Sequence, residues 1–131
     1  YLDIINNSDI DAVIISTPTI THYELVKKCL ESEKHVLCEK PLSVLYDESL
    51  ELVSLAKKVK KILLVGHVFL FHRGIRKLYK LIHDGVLGKL YYCRAVRTNL
   101  GPIRKDVNVV YDLASHDISI FNYLFNSHPW A

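Results

Sequence analysis

The sequence predicts an α/β protein: the C-terminal part of a doubly wound parallel sheet, followed by the start of a second α/β domain with an antiparallel sheet. Three observations predict it. Within the first 66 residues, short apolar runs at 11–16, 35–39 and 62–65 alternate with two amphipathic stretches of helical period. Strands alternating with helices imply right-handed βαβ crossovers, and hence parallel pairing. After Gly66 the rhythm breaks, and the run Leu90-Tyr91-Tyr92-Cys93-Arg94-Ala95-Val96-Arg97 has the aromatic, β-branched composition of an antiparallel strand. A domain change therefore falls near residues 66–73, with 1–68 and 69–131 as the two parts.

Taken in order, residues 2–8 suit a short helix. Asp11-Ala12-Val13-Ile14-Ile15-Ser16 is too short for a helix and too apolar for an exposed strand, so a strand buried on both faces is expected. Thr17-Pro18 stops it. Thr21-His22-Tyr23-Glu24 has capping-box spacing and opens a helix to about Glu33. After the second strand, a helix from Tyr46 to about Lys60 places Leu52, Leu55, Ala56 and Val59 on one face, with acidic residues early and lysines late to complement its dipole. A helix carrying Ile75, Leu78, Tyr79 and Ile82 ends at Asp84-Gly85, where glycine suits a left-handed cap. A loop follows around Gly101-Pro102. The last helix, Tyr111 to Phe125, has a wide apolar side with Leu113, Ile120, Phe121 and Leu124 and is expected to be largely buried.

The totals limit function. Half of the 131 residues are hydrophobic and 24% are charged, the balance of a globular chain. The net charge of +3 comes from dispersed lysines that end helices, so no nucleic-acid partner is expected. Three widely spaced cysteines without a C-x-x-C pair suggest neither a disulfide framework nor a zinc site; reduced thiols in the cytoplasm are the simpler expectation. No apolar run reaches the ~20 residues of a membrane span. There is no methionine anywhere, and the chain reads as a piece of something longer.

Candidate chemistry lies at four places. Lys40, followed by Pro41, stands at the carboxyl end of an apolar strand, where open α/β sheets bind ligands. It is either a ligand-facing cation or a solvated strand end paired with Glu39, and Lys40-Pro41 is a candidate cis peptide. Thr17, Pro18 and His22 follow the first strand at the same edge, and suit either nucleotide contact or a plain turn. Asp112 and His116 are four residues apart on the last helix, and a carboxylate beside an imidazole makes a general base. The alternative is a capping Asp and a satisfied, partly buried His. His67, Phe69, His72 and Arg73 follow the third strand, where a substrate pocket or aromatic packing are both open readings. The five glycines form no G-x-G-x-x-G.

Together, Asp11–Pro18 with His22, Lys34-His35-Val36-Leu37-Cys38-Glu39-Lys40-Pro41-Leu42, and Asp112-x-x-x-His116 resemble the glucose-fructose oxidoreductase, inositol dehydrogenase and related family known as Gfo/Idh/MocA. Residues 97–104 and 112–119 resemble its nucleotide-sugar branch. The resemblance implies an NAD- or NADP-dependent sugar oxidoreductase, with 1–68 the C-terminal half of a Rossmann domain and 69–131 the beginning of a substrate and oligomerisation domain. It implies a sugar or nucleotide-sugar substrate and a homo-oligomer. Glu39, Lys40 and Pro41 would lie by the nicotinamide, and Thr17, Pro18 and His22 would line the cofactor cleft. His116 would be the acid/base, Asp112 its neighbour, and Lys40 would stabilise the developing alkoxide. The family's first βαβ unit, with its glycine-rich turn, is not in this chain, so an inactive fragment is expected. The rival reading is a non-catalytic regulator of the same fold that senses a nucleotide or sugar.

Overall fold

The computed structural model describes residues 1–98 and 107–127. They form two compact units, residues 1–66 with Val107, and residues 67–98 with 108–127.

The first unit is a three-stranded parallel sheet in the order β1 (Ala12–Ile15), β2 (His35–Cys38), β3 (Leu63–Val65). A short α1 (Leu2–Ile5) precedes it, and α2 (His22–Glu31) and α3 (Tyr46–Lys58) connect the strands. The register sets Val13, Val36 and Leu63 in one row and Ile15, Cys38 and Val65 in another. Strand alternation puts both rows on one face, and there Ile15, Val36 and Cys38 form the core with Val26, Cys29 and Leu30 of α2 and Leu52 and Ala56 of α3. Leu30 and Leu52 are fully buried, each a burial of roughly 1.5–3 kcal/mol. On the solvent side, Glu51 of α3 accepts hydrogen bonds from Lys27 and Tyr23 of α2.

The opposite face corrects the expectation that β1 is buried on both sides. Ile14, Leu37 and Leu64 share a row there, and Ile14 is 72% exposed and Leu64 51%. The apolar run meant a sheet built to be covered twice; α2 and α3 cover it once.

Both helices also stop earlier than their lysine and glutamate tails suggested. In α2 the chain turns left-handed at Glu33 (φ 58°), with Glu33 N–H donating to Leu30 and Lys34 N–H to Cys29. Lys60 (φ 56°) does the same after α3, with Lys60 N–H donating to Lys57 and Lys61 N–H to Ala56. These are Schellman closures without glycine, which is why the sequence carried no stop signal. The buried Lys34 then donates to the Asn7 carbonyl at 2.7 Å, tying the end of α1 to the end of α2.

In the second unit a short 3₁₀ turn (Val68–Phe71) leads to α4 (Arg73–His83), and a π-helical turn (Val110–Ala114) leads into α5 (Ser115–Phe125). His72 caps α4, its Nδ1 accepting from Gly74 N–H at 3.1 Å. The other end closes as expected on a left-handed Gly85 (φ 73°), with Gly85 and Val86 N–H donating to Ile82 and Leu81. The two helices meet through Tyr79 stacked on Tyr123 at 4.6 Å and through His83 Nε2, 3.1 Å from the Leu124 carbonyl. Ile120 and Leu124 are buried, and Phe121 partly so, as the apolar side of α5 required.

The strand expected over Leu90–Arg97 does not form among the described residues. A strand exists only as one half of a ladder, and no second strand stands among the described residues of this unit. Tyr91 and Tyr92 are 82% and 86% exposed. Residues 99–106 of the loop expected over 99–109 lie outside the described residues.

The three cysteines are thiols of contrasting environment: Cys29 and Cys38 are buried, Cys93 exposed. Burial first, and then the charge of Glu39, pushes the Cys38 thiol up to about 12. Thiol titration of the native protein at pH 8 is therefore expected to label Cys93 quickly and Cys38 only on denaturation. Rapid labelling of Cys38 in the folded state would contradict this packing.

Candidate functional site

The carboxyl edge of the sheet gathers the loops that follow β1, β2 and β3. The first, Thr17-Pro18, is exposed and runs into a 3₁₀ turn, Thr19–Thr21. The capping box expected at Thr21 is not made. Thr21 is itself helical (φ −95°, ψ −9°), and its hydroxyl donates to the Pro18 carbonyl at 2.8 Å and lies 2.7 Å from the Thr17 hydroxyl. A cap residue needs extended backbone to aim its oxygen at the first helical N–H groups, and the preceding 3₁₀ turn removes that geometry. Beside this loop is a groove of about 470 Å³, bordered by Thr17, Pro18, Ile20, Thr21 and Leu25.

His22 opens α2 and is 1% exposed. Its Nδ1 lies 2.8 Å from the Pro41 carbonyl and its Nε2 2.9 Å from the Thr17 carbonyl. Both ring nitrogens are thus engaged within the protein, and the residue ties the loop after β1 to the loop after β2. Sequence reasoning set His22 at the right edge but gave no sign of this bracing role. His22→Leu is expected to lower the stability of the protein by about 1–3 kcal/mol, because a buried carbonyl loses its donor. Urea unfolding measures this, and an unchanged midpoint would remove the bracing role.

At the end of β2, Glu39 N–H donates to the Ile15 carbonyl, continuing the ladder, while the Glu39 side chain is exposed. One Glu39 oxygen accepts from Lys40 N–H at 3.3 Å. The Lys40-Pro41 peptide is cis. Pro41 is buried, and the loop behind it is held by Ser43, whose hydroxyl donates to Leu45 at 2.6 Å and meets the Ser49 hydroxyl at 2.7 Å. Gly66 closes β3 against the same place. A methyl group there would stand 3.3 Å from a Glu39 carboxylate oxygen, so the glycine leaves the carboxylate room. Ser43 was not singled out in sequence, and Gly66 only as the point where the strand-helix rhythm breaks. The position of Gly66 directly after a strand was the available signal.

In the second unit Asp112 belongs to the π turn, and the regular helix begins only at Ser115. A π turn is wider than an α turn, so Asp112 is rotated from the place that four-residue spacing on a regular helix would give it. Asn108 starts this run: its side-chain oxygen accepts from Tyr111 N–H and its carbonyl from Asp112 N–H, both at 3.0 Å. His116 is 9% exposed and meets the Phe69 ring edge-on, centroids 4.8 Å apart at 77°. Phe71, expected like Phe69 to pack in an aromatic core, is 64% exposed, while Phe69 is half-buried. No group of three or more metal-ligating side chains occurs among the described residues. None of their helices is long and apolar enough to cross a membrane.

A parallel sheet with helical connections and polar loops at its carboxyl edge is a Rossmann-type domain. The model of an oxidoreductase family with NAD-binding Rossmann fold, Gfo/Idh/MocA, matches residues 1–67, and the chain belongs to that family. Over 92 residues the chain is 40% identical to 2,7-anhydro-N-acetylneuraminate hydratase of Mediterraneibacter gnavus, covering 70% of this chain and 25% of that protein. Over 127 residues it is 32% identical to myo-inositol 2-dehydrogenase of Thermotoga maritima, covering 93% and 38%. A solved structure of a probable dehydrogenase from Thermotoga maritima is similar with a TM-score of 0.82 at 30% identity, over 96% of this chain and 40% of that one. The chain spans between a quarter and two fifths of the length of these proteins.

Proposed function

We propose that these residues are part of an NAD- or NADP-dependent oxidoreductase that moves hydride between a hydroxyl-bearing carbon of a sugar, cyclitol or nucleotide-sugar and the nicotinamide. The observation that carries this reading is the family match over residues 1–67, with Glu39-Lys40-Pro41 at the carboxyl end of β2. In it, residues 1–68 are the C-terminal half of the dinucleotide-binding domain and 69–131 begin the substrate and oligomerisation domain. Thr17, Pro18 and Glu39 are exposed at the sheet edge and offer polar contacts suited to the nicotinamide end of the cofactor, with Pro41 and His22 shaping the loops behind them. The pyrophosphate turn has no counterpart among the glycines of this sequence, so the 131 residues alone should turn over no substrate.

A nicotinamide cofactor bound at this edge would supply the hydride chemistry. The protein does the rest. His116 takes the hydroxyl proton as the C–H bond breaks, and Asp112 supports the imidazole as it becomes cationic. The Lys40 ammonium stabilises negative charge that develops on the substrate oxygen. The experiment is to incubate the intact protein with sugars, cyclitols and nucleotide-sugars and either cofactor, following both the reduced nicotinamide and the ketone product.

A second reading is favoured by the 40% identity to a hydratase. It predicts net addition of water to an anhydro sugar acid, with no reduced cofactor left at the end. The same assay separates the two, and substrate binding with no product of either kind would instead support a sensor.

A further inference from the structure

We infer that Arg97 is a positioning residue for His116, acting through Phe69 and Asp117; this rests on the reading of His116 as the acid/base. Arg97 grips the start of α5 in two ways. Its guanidinium forks onto the Asp117 carboxylate, Nε to Oδ2 at 3.0 Å and Nη2 to Oδ1 at 2.8 Å. The same group stacks on the Phe69 ring, Cζ 4.8 Å from its centroid, and Phe69 in turn meets the His116 ring. Phe69 thus touches a guanidinium and an imidazole, and the residue after His116 is clamped by the guanidinium that stacks on Phe69.

The arrangement does two things to His116. It fixes the ring's aromatic neighbour, and with it the rotation open to a buried side chain. It also neutralises Asp117, the negative charge adjoining His116 in sequence. A bidentate fork is specific to arginine, since a lysine offers one point charge and no planar face to stack. The hydrogen bonds from Arg97 hold the Asp117 carboxyl below its ordinary value, with the charges of Arg97 and His116 adding to the effect. Asp117 was given no role in sequence, for neighbouring residues on a helix do not face one another, whereas Phe69 stood among the residues open to a pocket or aromatic packing.

Other titratable groups on the elements packed around α5 are constant in the test. Asp112 lies on the preceding π turn, and His67 and His72 flank the 3₁₀ turn. On α4, Tyr79 and His83 meet the far end of α5 at Tyr123 and Leu124, and Arg73, Arg76, Lys77 and Lys80 complete its charges.

The test compares Arg97→Met, Arg97→Lys, Asp117→Asn and the double variant R97M/D117N in the intact protein with cofactor and substrate. Arg97→Met should lower kcat at least 10-fold with a smaller change in KM. It should also move the acid limb of kcat/KM to higher pH, since an unneutralised Asp117 favours the imidazolium. Arg97→Lys should restore the limb but not the full kcat, and R97M/D117N should return the limb to its original place. In parallel, ¹⁵N shifts of the His116 ring in the substrate-free protein should show a titration midpoint displaced upward in Arg97→Met and downward in Asp117→Asn, whose arginine is left unneutralised. If all four variants lose stability alike while the limb and the ring midpoint stay where they are, Arg97 only anchors the chain and the inference falls. If His116→Asn keeps full turnover, the acid/base reading fails instead; the ring midpoint then still decides whether Arg97 governs His116.

Discussion

Replacing His116 by Asn in the intact protein is expected to slow turnover by about 10²–10⁴-fold in kcat, with a much smaller change in substrate affinity. Asparagine keeps a hydrogen-bonding group of similar reach but cannot take up a proton at neutral pH, so the substitution removes the chemistry and little of the packing. The surroundings favour a clean result. His116 is buried against Phe69, and its helix is held from elsewhere by Ile120, Leu124 and the Tyr79–Tyr123 stack. The measurement is steady-state kinetics across pH, with an unfolding curve of the same variant. Turnover close to wild type would remove His116 from the mechanism, and loss of the folded state would be visible in the unfolding curve before any kinetic conclusion was drawn.

The parallel sheet was legible because β1, β2 and β3 are apolar runs too short to be helices, separated by helical periods that allow only crossover connections. Gly85 was legible as a cap because glycine announces a left-handed residue; Glu33 and Lys60 adopt the same conformation without announcing it. Leu90–Arg97 failed for a different reason. Its composition records what the segment is suited to pair with, and pairing depends on a partner that local composition does not contain. His22 and Asp117 show the same limit at the candidate site. His22 was open to nucleotide contact or a plain turn and Asp117 was given no role, and each is defined by a partner about twenty residues away: Pro41 for one, Arg97 for the other. Motif residues could be named from sequence because the chemistry restricts their type. The residues that hold them could not, since several side chains would have served and only packing chose.

Lys40→Met should reduce kcat of the intact protein by about 10²–10³-fold, the loss seen when one donor to a developing oxyanion is removed, while NAD or NADP binding is largely kept. The structure makes this a test of charge rather than of loop shape. The backbone on each side of Lys40 is fixed by contacts that do not use its ammonium: Glu39 N–H on the Ile15 carbonyl, Lys40 N–H on the Glu39 carboxylate, and the Pro41 carbonyl against His22. Methionine is of similar length and leaves all three in place. Cofactor titration by nicotinamide fluorescence, alongside kcat, separates the outcomes. If binding falls in proportion to turnover, Lys40 holds the cofactor and the oxyanion role belongs to another group. If kcat falls while binding persists, the effect lies in the transition state, because a charge that acts only as the alkoxide forms contributes little to the ground-state complex.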